Sequence, residues 1–203
     1  MTPPRSTVYV VDDDDAIRRS VRALLSTMDV DAIDYASAEA FLQEYDGRRP
    51  ACLITDVRML GMSGLELQDR LNELGILIPV IVITAYAATP TTVRAMQQGA
   101  YTLLEKPCDE DALYNAVNKA LADDRSRHEQ QQREADIRRR LDSLTPKERA
   151  VFDHIVHGDA NKIVARRLNL SVRTVETYRR RVLEKMQAAS LAELVRMSVQ
   201  AGE

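Results

Sequence analysis

The stretch Ala51-Cys52-Leu53-Ile54-Thr55-Asp56 is an apolar run that ends on a carboxylate, and the turn-forming sequence VRMLGMSG, residues 57–64, follows it. A short apolar run bounded by a glycine-containing turn predicts a buried β-strand. Its last residue, Asp56, then stands at the carboxyl edge of a sheet, where ligands bind in open parallel α/β sheets. The pattern predicts a functional carboxylate at position 56.

Four further segments of residues 1–122 have β-type composition, and amphipathic helical patterns separate them. The predicted strands are Val8–Val11, Val30–Tyr35, Pro79–Ala85 and Tyr101–Glu105. Together with the central strand they make five strand–helix units, so the sequence predicts an α/β fold with a five-stranded, doubly wound parallel sheet.

Polar side chains stand where these strands end: Asp12 and Asp13 after the first, Asp56 on the third, Thr84 on the fourth and Lys106 after the fifth. Three neighbouring carboxylates repel one another, which favours a hard cation such as Mg²⁺ held by few protein oxygens and several waters. Phosphoryl transfer needs positioning and charge neutralisation, which a cation, an ammonium and a hydroxyl can supply. Taken singly, each residue has an ordinary explanation as a solvated turn, a cap or a surface lysine. Their coincidence at consecutive strand ends favours a phosphoryl-accepting site.

The motifs at these strand ends are Val-Val-Asp-Asp at 10–13, Asp56 after Leu-Ile-Thr, Met-Ser-Gly-Leu-Glu at 62–66, Thr84-Ala85 and Glu105-Lys106-Pro107. With intervals of 43 residues from Asp13 to Asp56 and 22 from Thr84 to Lys106, residues 8–121 resemble the receiver domain of two-component response regulators. The resemblance implies a CheY-like sheet and phosphotransfer from a sensor histidine kinase to Asp56.

The same resemblance implies a Mg²⁺ site, with Asp13, Asp56 and the carbonyl of Arg58 as direct ligands and Asp12 acting through water. It also implies a cis peptide bond between Lys106 and Pro107. Thr84 and Lys106 would stabilise the phosphoryl group.

Two residues depart from the receiver pattern. Leu60 stands where the family usually has proline, which predicts a less rigid loop after Asp56. Leu103 stands where the family usually has the aromatic switch residue that turns inward with Thr84. Tyr101, two residues earlier and expected on the same strand face, is a candidate substitute; the alternative is that Tyr101 packs under the neighbouring helix.

Charge divides the chain into three parts. Residues 1–122 carry 11 Lys/Arg and 18 Asp/Glu, residues 123–143 carry 6 and 6, and residues 144–203 carry 11 and 7. No Gly or Pro interrupts residues 109–141, so we expect one long helix that joins the acidic and basic parts. Its sparse apolar residues leave two interpretations open, a solvated linker over residues 123–143 and a weak dimer seam.

Residues 144–203 show the pattern of a helix-turn-helix domain. Thr145, Pro146 and Glu148 form a predicted capping box with proline at the first helical position. Asn169 stands where a left-handed residue is expected, and Ser171 is a predicted cap for a third helix. That helix carries an apolar face and an opposite face of basic and short polar groups, which suits the DNA major groove.

Residues 144–202 resemble the LuxR-type helix-turn-helix through Leu-Thr-x-x-Glu at 144–148, Gly158, Asn161-Lys162, Thr174-Val175-Glu176 and Lys185-Met186. A final helix around residues 191–195 fits the family's fourth helix, which is usually a dimer contact. By this resemblance Glu176, Thr177 and Arg180 face bases, whereas the phosphate contacts are Lys162, Arg173, Arg179 and Arg181.

The two resemblances identify the chain as a member of the FixJ/NarL-type transcriptional response regulators. The expected partners are a sensor histidine kinase, double-stranded DNA and, when phosphorylated, a second copy in a homodimer. Residues 1–5 lead into a strand rather than a secretory segment, and no apolar run approaches a transmembrane length, so the sequence favours a cytoplasmic protein without membrane association.

Two other functions remain open. A constitutive DNA-binding regulator with a degenerate switch would account for Leu60 and Leu103. A phosphatase with Asp56 as nucleophile would need a second carboxylate at position 58, where Arg58 stands, so the sequence does not favour an enzyme. Cys52 and Cys108 have no metal-binding spacing, and we predict no role for them.

Overall fold

A computed structural model describes residues 5–85 and 89–202 of the chain, with the side chains of residues 89–91 left out. Met1–Pro4, part of the segment predicted not to be a secretory leader, lie outside the described residues. The chain divides into two compact units, Met1–His128 and Glu129–Glu203. Among the described helices, none combines the length and hydropathy needed to cross a bilayer.

The N-terminal unit is built on one parallel sheet with the strand order β2-β1-β3-β4-β5. Its strands are β1 (Ser6–Val11), β2 (Val30–Tyr35), β3 (Ala51–Asp56), β4 (Val80–Thr84) and β5 (Thr102–Glu105). The predicted five-stranded doubly wound sheet is therefore confirmed. Register pairs Val11 with Thr55, Asp56 with Ile83 and Thr84 with Glu105, so the strand ends align at one edge.

Five helices cover the two faces of this sheet: α1 (Asp15–Leu25), α2 (Ala38–Glu44), α3 (Gly64–Glu73), α4 (Thr89–Gln97) and α5 (Glu110–Asp142). Alternation along β1 supplies both cores, because Tyr9 and Val11 pack with α2, α3 and α4 while Val8 and Val10 pack with α1 and α5. A sheet buried on both faces explains why these strands are continuously apolar.

Side-chain caps fix where helices begin near the carboxyl edge. Asp14 accepts the N–H of Ala16 at the start of α1, and Ser37 accepts the N–H of Ala40 at the start of α2. Ser63 and Glu66 form a capping box at the start of α3. The caps therefore set the lengths of the three loops that lead from strands to these helices.

The long helix α5 spans 33 residues without interruption, which confirms the single helix expected from the sequence. Asp124 on this helix is fully buried against the N-terminal unit, where Arg49 donates to it twice. Ile137 and Leu141, further along, are buried in the core of the C-terminal unit. The domain boundaries at 122/123 and 143/144 stay a prediction.

The C-terminal unit contains α6 (Pro146–Val156), α7 (Asn161–Leu168), α8 (Val172–Met186) and α9 (Leu191–Ala201). The predicted Thr145–Glu148 capping box is present. Asn169 adopts the left-handed conformation, with φ 54° and ψ 48°, and Ser171 caps α8 by accepting the N–H of Thr174. These local features confirm the helix-turn-helix.

Glu148 links three parts of this unit. Its side chain is buried, accepts the N–H of Thr145 at 2.9 Å and lies 2.6 Å from the Lys185 Nζ in α8. The Lys185 hydrogen bond and then the Thr145 N–H lower the pKa of Glu148 from 4.5 to about 2. The ionised carboxylate therefore stabilises the folded C-terminal unit.

We expect Glu148→Gln to lower the free energy of unfolding of this unit by about 1.5–3 kcal/mol at pH 7, the range for hydrogen bonds to charged groups. Because the folded pKa is depressed, the stabilisation is present above the ordinary pKa of 4.5 and is lost as the pH falls toward 2. Urea unfolding across this pH range measures the effect. Glu176→Gln, an exposed change on α8, is the control, and an equal loss in both variants would contradict the assignment.

Candidate functional site

The residues singled out at the strand ends meet at the carboxyl edge of the sheet. Asp12 follows β1, Asp56 ends β3, Thr84 ends β4 and Lys106 follows β5. The Lys106 Nζ lies 2.6 Å from the Asp56 Oδ2 and 2.9 Å from the Asp12 Oδ2. One ammonium therefore bridges two carboxylates that come from different strands.

Burial and these hydrogen bonds act on Lys106 in opposite directions. Burial alone would lower the pKa of Lys106, but the hydrogen bonds to Asp56 and then Asp12 outweigh it and raise the pKa above its ordinary value. The side chain is therefore a fixed positive charge beside Asp56. The main chain also holds it in place, because the Lys106 N–H donates to the Thr84 carbonyl at 2.8 Å, and the Lys106–Pro107 bond is cis as predicted.

Asp12 is held from two directions. Its Oδ1 accepts the N–H of Asp14 at 2.9 Å, and Arg18 of α1 donates to its carbonyl oxygen at 2.8 Å. Arg18 also contacts Asp34 at the end of β2, and its side chain is 12% exposed. Arg18 was missed from the sequence, because an arginine in a surface helix carries no signal of burial.

Two carboxylates accept hydrogen bonds from the main chain of the loop between β3 and α3. The N–H of Leu60 donates to the Asp13 Oδ2 at 3.0 Å, and the N–H of Met62 donates to the Glu39 Oε1 at 2.9 Å. Glu39 belongs to α2 and was not singled out from the sequence. The loop that was expected to be less rigid without a proline is thus held by hydrogen bonds, one of which comes from the N–H that proline lacks.

Gly64 allows this loop to pass close to the phosphoacceptor candidate. A Cβ at position 64 would lie 2.0 Å from the carbonyl oxygen of Asp56, far inside van der Waals contact. The Gly64 N–H donates to the Val57 carbonyl at 3.2 Å. Glycine at this position of the Met-Ser-Gly motif therefore fixes where the end of β3 sits.

The oxygen donors expected for Mg²⁺ lie at the same edge. Asp12, Asp13 and Asp56 supply carboxylates and Arg58 a carbonyl, and hard oxygens of this kind suit Mg²⁺. Across residues 5–85 and 89–202 no three Asp, Glu, His or Cys side chains form a metal-binding group. This is compatible with the expected set, because only two carboxylates, Asp13 and Asp56, are direct ligands in it. The residues therefore fit the ion by type and position.

Tyr101 and Leu103 lie on opposite sides of the sheet, which corrects the expectation that they share a face. Leu103 packs with the α2, α3 and α4 core, whereas Tyr101 packs with the α1 and α5 core. The reason is that β5 begins at Thr102, so strand alternation does not extend to Tyr101. The Tyr101 hydroxyl donates to Asp123 of α5 at 2.6 Å, in keeping with the alternative of packing under that helix.

The second candidate surface is the outer face of α8. Val175, Val182 and Met186 are fully buried on its inner face. Five of the predicted DNA contacts are exposed: Lys162 in α7, and Arg173, Glu176, Arg180 and Arg181 in α8. A helix with this distribution presents a polar and basic face that a DNA groove can accept.

The other two predicted DNA contacts, Thr177 and Arg179, are half-buried and donate hydrogen bonds to other residues of the protein. The Arg179 Nη1 donates to the Asn161 Oδ1 of α7 at 3.2 Å, and the Thr177 hydroxyl donates to the Arg173 carbonyl at 3.0 Å. Arg179 therefore joins α7 and α8 across the turn. A single N–H of its guanidinium makes that bond, and the group has five donors.

Comparison with known proteins agrees with both halves of this description. Residues 8–118 match the response regulator receiver domain family, and residues 142–198 match the luxR family of bacterial regulatory proteins. The transcriptional regulatory protein FixJ of Azorhizobium caulinodans is 42% identical over 200 residues, which cover 98% of this chain and 95% of that protein.

Two solved structures match over nearly the whole of this chain. The response regulator StyR has a TM-score of 0.90 at 34% identity, with 97% of this chain and 100% of the StyR chain covered. Full-length FixJ from B. japonicum has a TM-score of 0.59 at 37% identity, with 97% of each chain covered.

Proposed function

The chain belongs to the FixJ/NarL family of two-component transcriptional response regulators, which join a receiver domain to a LuxR-type DNA-binding domain, and we propose that phosphorylation of Asp56 controls its binding to DNA. The observation that carries this proposal is the bridge from the Lys106 ammonium to Asp56 and Asp12 at the edge of the sheet. The fixed positive charge beside Asp56 supports the proposal, because a phosphoryl group on that residue would add negative charge there.

In the proposed reaction a carboxylate oxygen of Asp56 attacks the phosphorus of a phosphohistidine on the sensor kinase. The phosphorus–nitrogen bond breaks as the phosphorus–oxygen bond forms, and the histidine leaves with the bonding electron pair. The Arg58 N–H donates to the Asp56 Oδ1 at 3.2 Å, and Lys106 contacts Oδ2, so both carboxylate oxygens are oriented before the donor arrives.

The remaining charge is balanced by groups at the same edge. Asp13, Asp56 and the Arg58 carbonyl would hold Mg²⁺, with Asp12 acting through water, and the ion would supply positive charge against the negative charge of the phosphoryl group. In the proposed cycle Lys106 neutralises further charge of the phosphoryl group, and the Thr84 hydroxyl donates a hydrogen bond to it. Thr84 is buried at the end of β4, so a shift of its side chain would change the packing of the neighbouring core residues.

The output of this cycle is recognition of double-stranded DNA by α8. Glu176, Thr177 and Arg180 face the bases in the proposed complex. Lys162, Arg173, Arg179 and Arg181 contact phosphates. We further propose that phosphorylation favours a homodimer that binds two half-sites about 10 bp apart, and that the protein works in the cytoplasm, where the DNA and the kinase's phosphohistidine are found.

Intact-mass spectrometry tests the first step. We expect the wild type, incubated with Mg²⁺ and a small phosphoryl donor such as acetyl phosphate, to gain the mass of one phosphoryl group. Asp56→Asn keeps the size of the side chain and removes the attacking oxygen, so it should gain none. A modified Asp56→Asn protein would show that another residue accepts the group and would overturn the assignment.

A constitutive DNA-binding regulator is the second candidate, favoured by the aliphatic residue Leu103 at the usual switch position. Its packing in the apolar core of the receiver is that of an ordinary core residue. In that case Asp56 could be phosphorylated without any change in DNA affinity, so the two candidates differ in output rather than in chemistry.

A further inference from the structure

We propose that the main-chain N–H of Leu60 competes with a divalent cation for the carboxylate of Asp13, so that residue 60 sets how tightly this receiver binds Mg²⁺. The inference deepens the proposed function and rests on its Mg²⁺ site. The observation behind it is the 3.0 Å hydrogen bond from the Leu60 N–H to the Asp13 Oδ2. Leu60 follows Asp56 by four positions, so the bond joins the two proposed direct carboxylate ligands through a short loop.

Asp13 has a different hydrogen-bond donor from the other two carboxylates in this structure. Lys106 bridges Asp12 and Asp56, whereas Asp13 accepts from Leu60. Mg²⁺ requires oxygens at 2.0–2.1 Å in near-octahedral geometry. In the proposed competition, the Asp13 carboxylate gives up its hydrogen bond to the Leu60 N–H when it becomes a ligand of the ion.

The competition depends on the backbone at position 60 and not on its side chain. The Leu60 side chain is 81% exposed. Any residue except proline carries the N–H that Asp13 accepts, and proline has none. Without this donor the negative charge of the carboxylate is less stabilised, so a bound cation stabilises it more. Proline at position 60 should therefore strengthen Mg²⁺ binding, and alanine should leave it unchanged.

The hydrogen bond lies at an exposed edge, so the difference should be modest. The net free energy of such a hydrogen bond corresponds to a change of about threefold to tenfold in an equilibrium constant. We expect the Kd of Leu60→Pro for Mg²⁺ to fall by that factor. The Kd of Leu60→Ala should match that of the wild type within twofold.

Calorimetric titration of the full-length proteins with magnesium chloride, without a phosphoryl donor, measures these constants. A second readout uses the wild type alone, in case Leu60→Pro does not fold. The NMR signal of the Leu60 amide should lose its hydrogen-bonded proton shift as Mg²⁺ is added, and its hydrogen exchange should accelerate, with the midpoint found by calorimetry.

The outcomes separate this inference from the function on which it rests. Equal or weaker Mg²⁺ binding by a folded Leu60→Pro, or a Leu60 amide that stays hydrogen-bonded at saturating Mg²⁺, overturns the competition and leaves the Mg²⁺ site standing. A wild type that binds no Mg²⁺ at millimolar concentration overturns both. Tighter binding by Leu60→Ala to the same extent as by Leu60→Pro would assign the effect to the exposed side chain and contradict the proposal.

Discussion

Replacing Asp124 by Asn should lower the free energy of unfolding of the N-terminal unit by about 3–5 kcal/mol, the range observed when one partner of a buried ion pair is removed. Asp124 is fully buried and accepts the Arg49 Nε at 2.7 Å and the Arg49 Nη2 at 2.6 Å. It also accepts the Ala51 N–H at 2.8 Å. Asparagine can keep one of these bonds but leaves the Arg49 guanidinium, itself 14% exposed, without a counter-charge.

The neighbouring residue provides a matched control. Asp123 lies on the same helix, is exposed, and makes one hydrogen bond to the Tyr101 hydroxyl. Asp123→Asn should therefore change the free energy of unfolding by less than about 1 kcal/mol. Urea unfolding followed by tyrosine fluorescence reports on this unit, because every tyrosine except Tyr178 precedes residue 128 and the chain has no tryptophan. A loss of similar size in both variants would contradict a special role for Asp124.

Replacing Lys106 by Met should slow phosphoryl uptake by about 10²–10³-fold, the usual effect of removing one preorganised donor from developing negative charge. Methionine retains a flexible side chain of similar length without the ammonium. The loss also leaves the Asp12 and Asp56 carboxylates without the cation that bridges them at 2.9 Å and 2.6 Å. The two carboxylates would then repel each other both before the donor arrives and during phosphoryl transfer.

The rate of mass gain with a small phosphoryl donor at saturating Mg²⁺ measures this effect. Lys119→Met changes the same residue type at an exposed position of α5 and should leave the rate unchanged. Near-normal uptake by a folded Lys106→Met protein would show that the ammonium does not stabilise the transferred group.

Features encoded within a few residues of sequence were predictable. Local pattern and capping chemistry account for the bounds of β2 at Val30–Tyr35, the left-handed Asn169, and the caps at Thr145 and Ser171. The meeting of Asp12, Asp56 and Lys106 followed from a topological rule, since the carboxyl ends of parallel strands share one edge.

Features that depend on long-range packing were not predictable. Asp124 sits in a run of charged residues, where nothing in the sequence marks one carboxylate as buried against an arginine 75 residues earlier. Glu39 and Arg18 position the site from helices whose patterns describe only their apolar faces. The expectation that Tyr101 shares a face with Leu103 was wrong because strand alternation was extended to the residue before β5 begins.

Phosphoryl transfer to Asp56 controls assembly in the proposed cycle, and sedimentation velocity on the full-length protein tests this most directly. With Mg²⁺ and a phosphoryl donor, the wild type should shift from monomer toward dimer, while Asp56→Ala should stay monomeric under the same conditions. Mass spectrometry of the same samples confirms that the wild type carries the group. A phosphorylated wild type whose sedimentation does not change would contradict control of assembly by Asp56, and unchanged DNA affinity in that sample would favour a constitutive regulator.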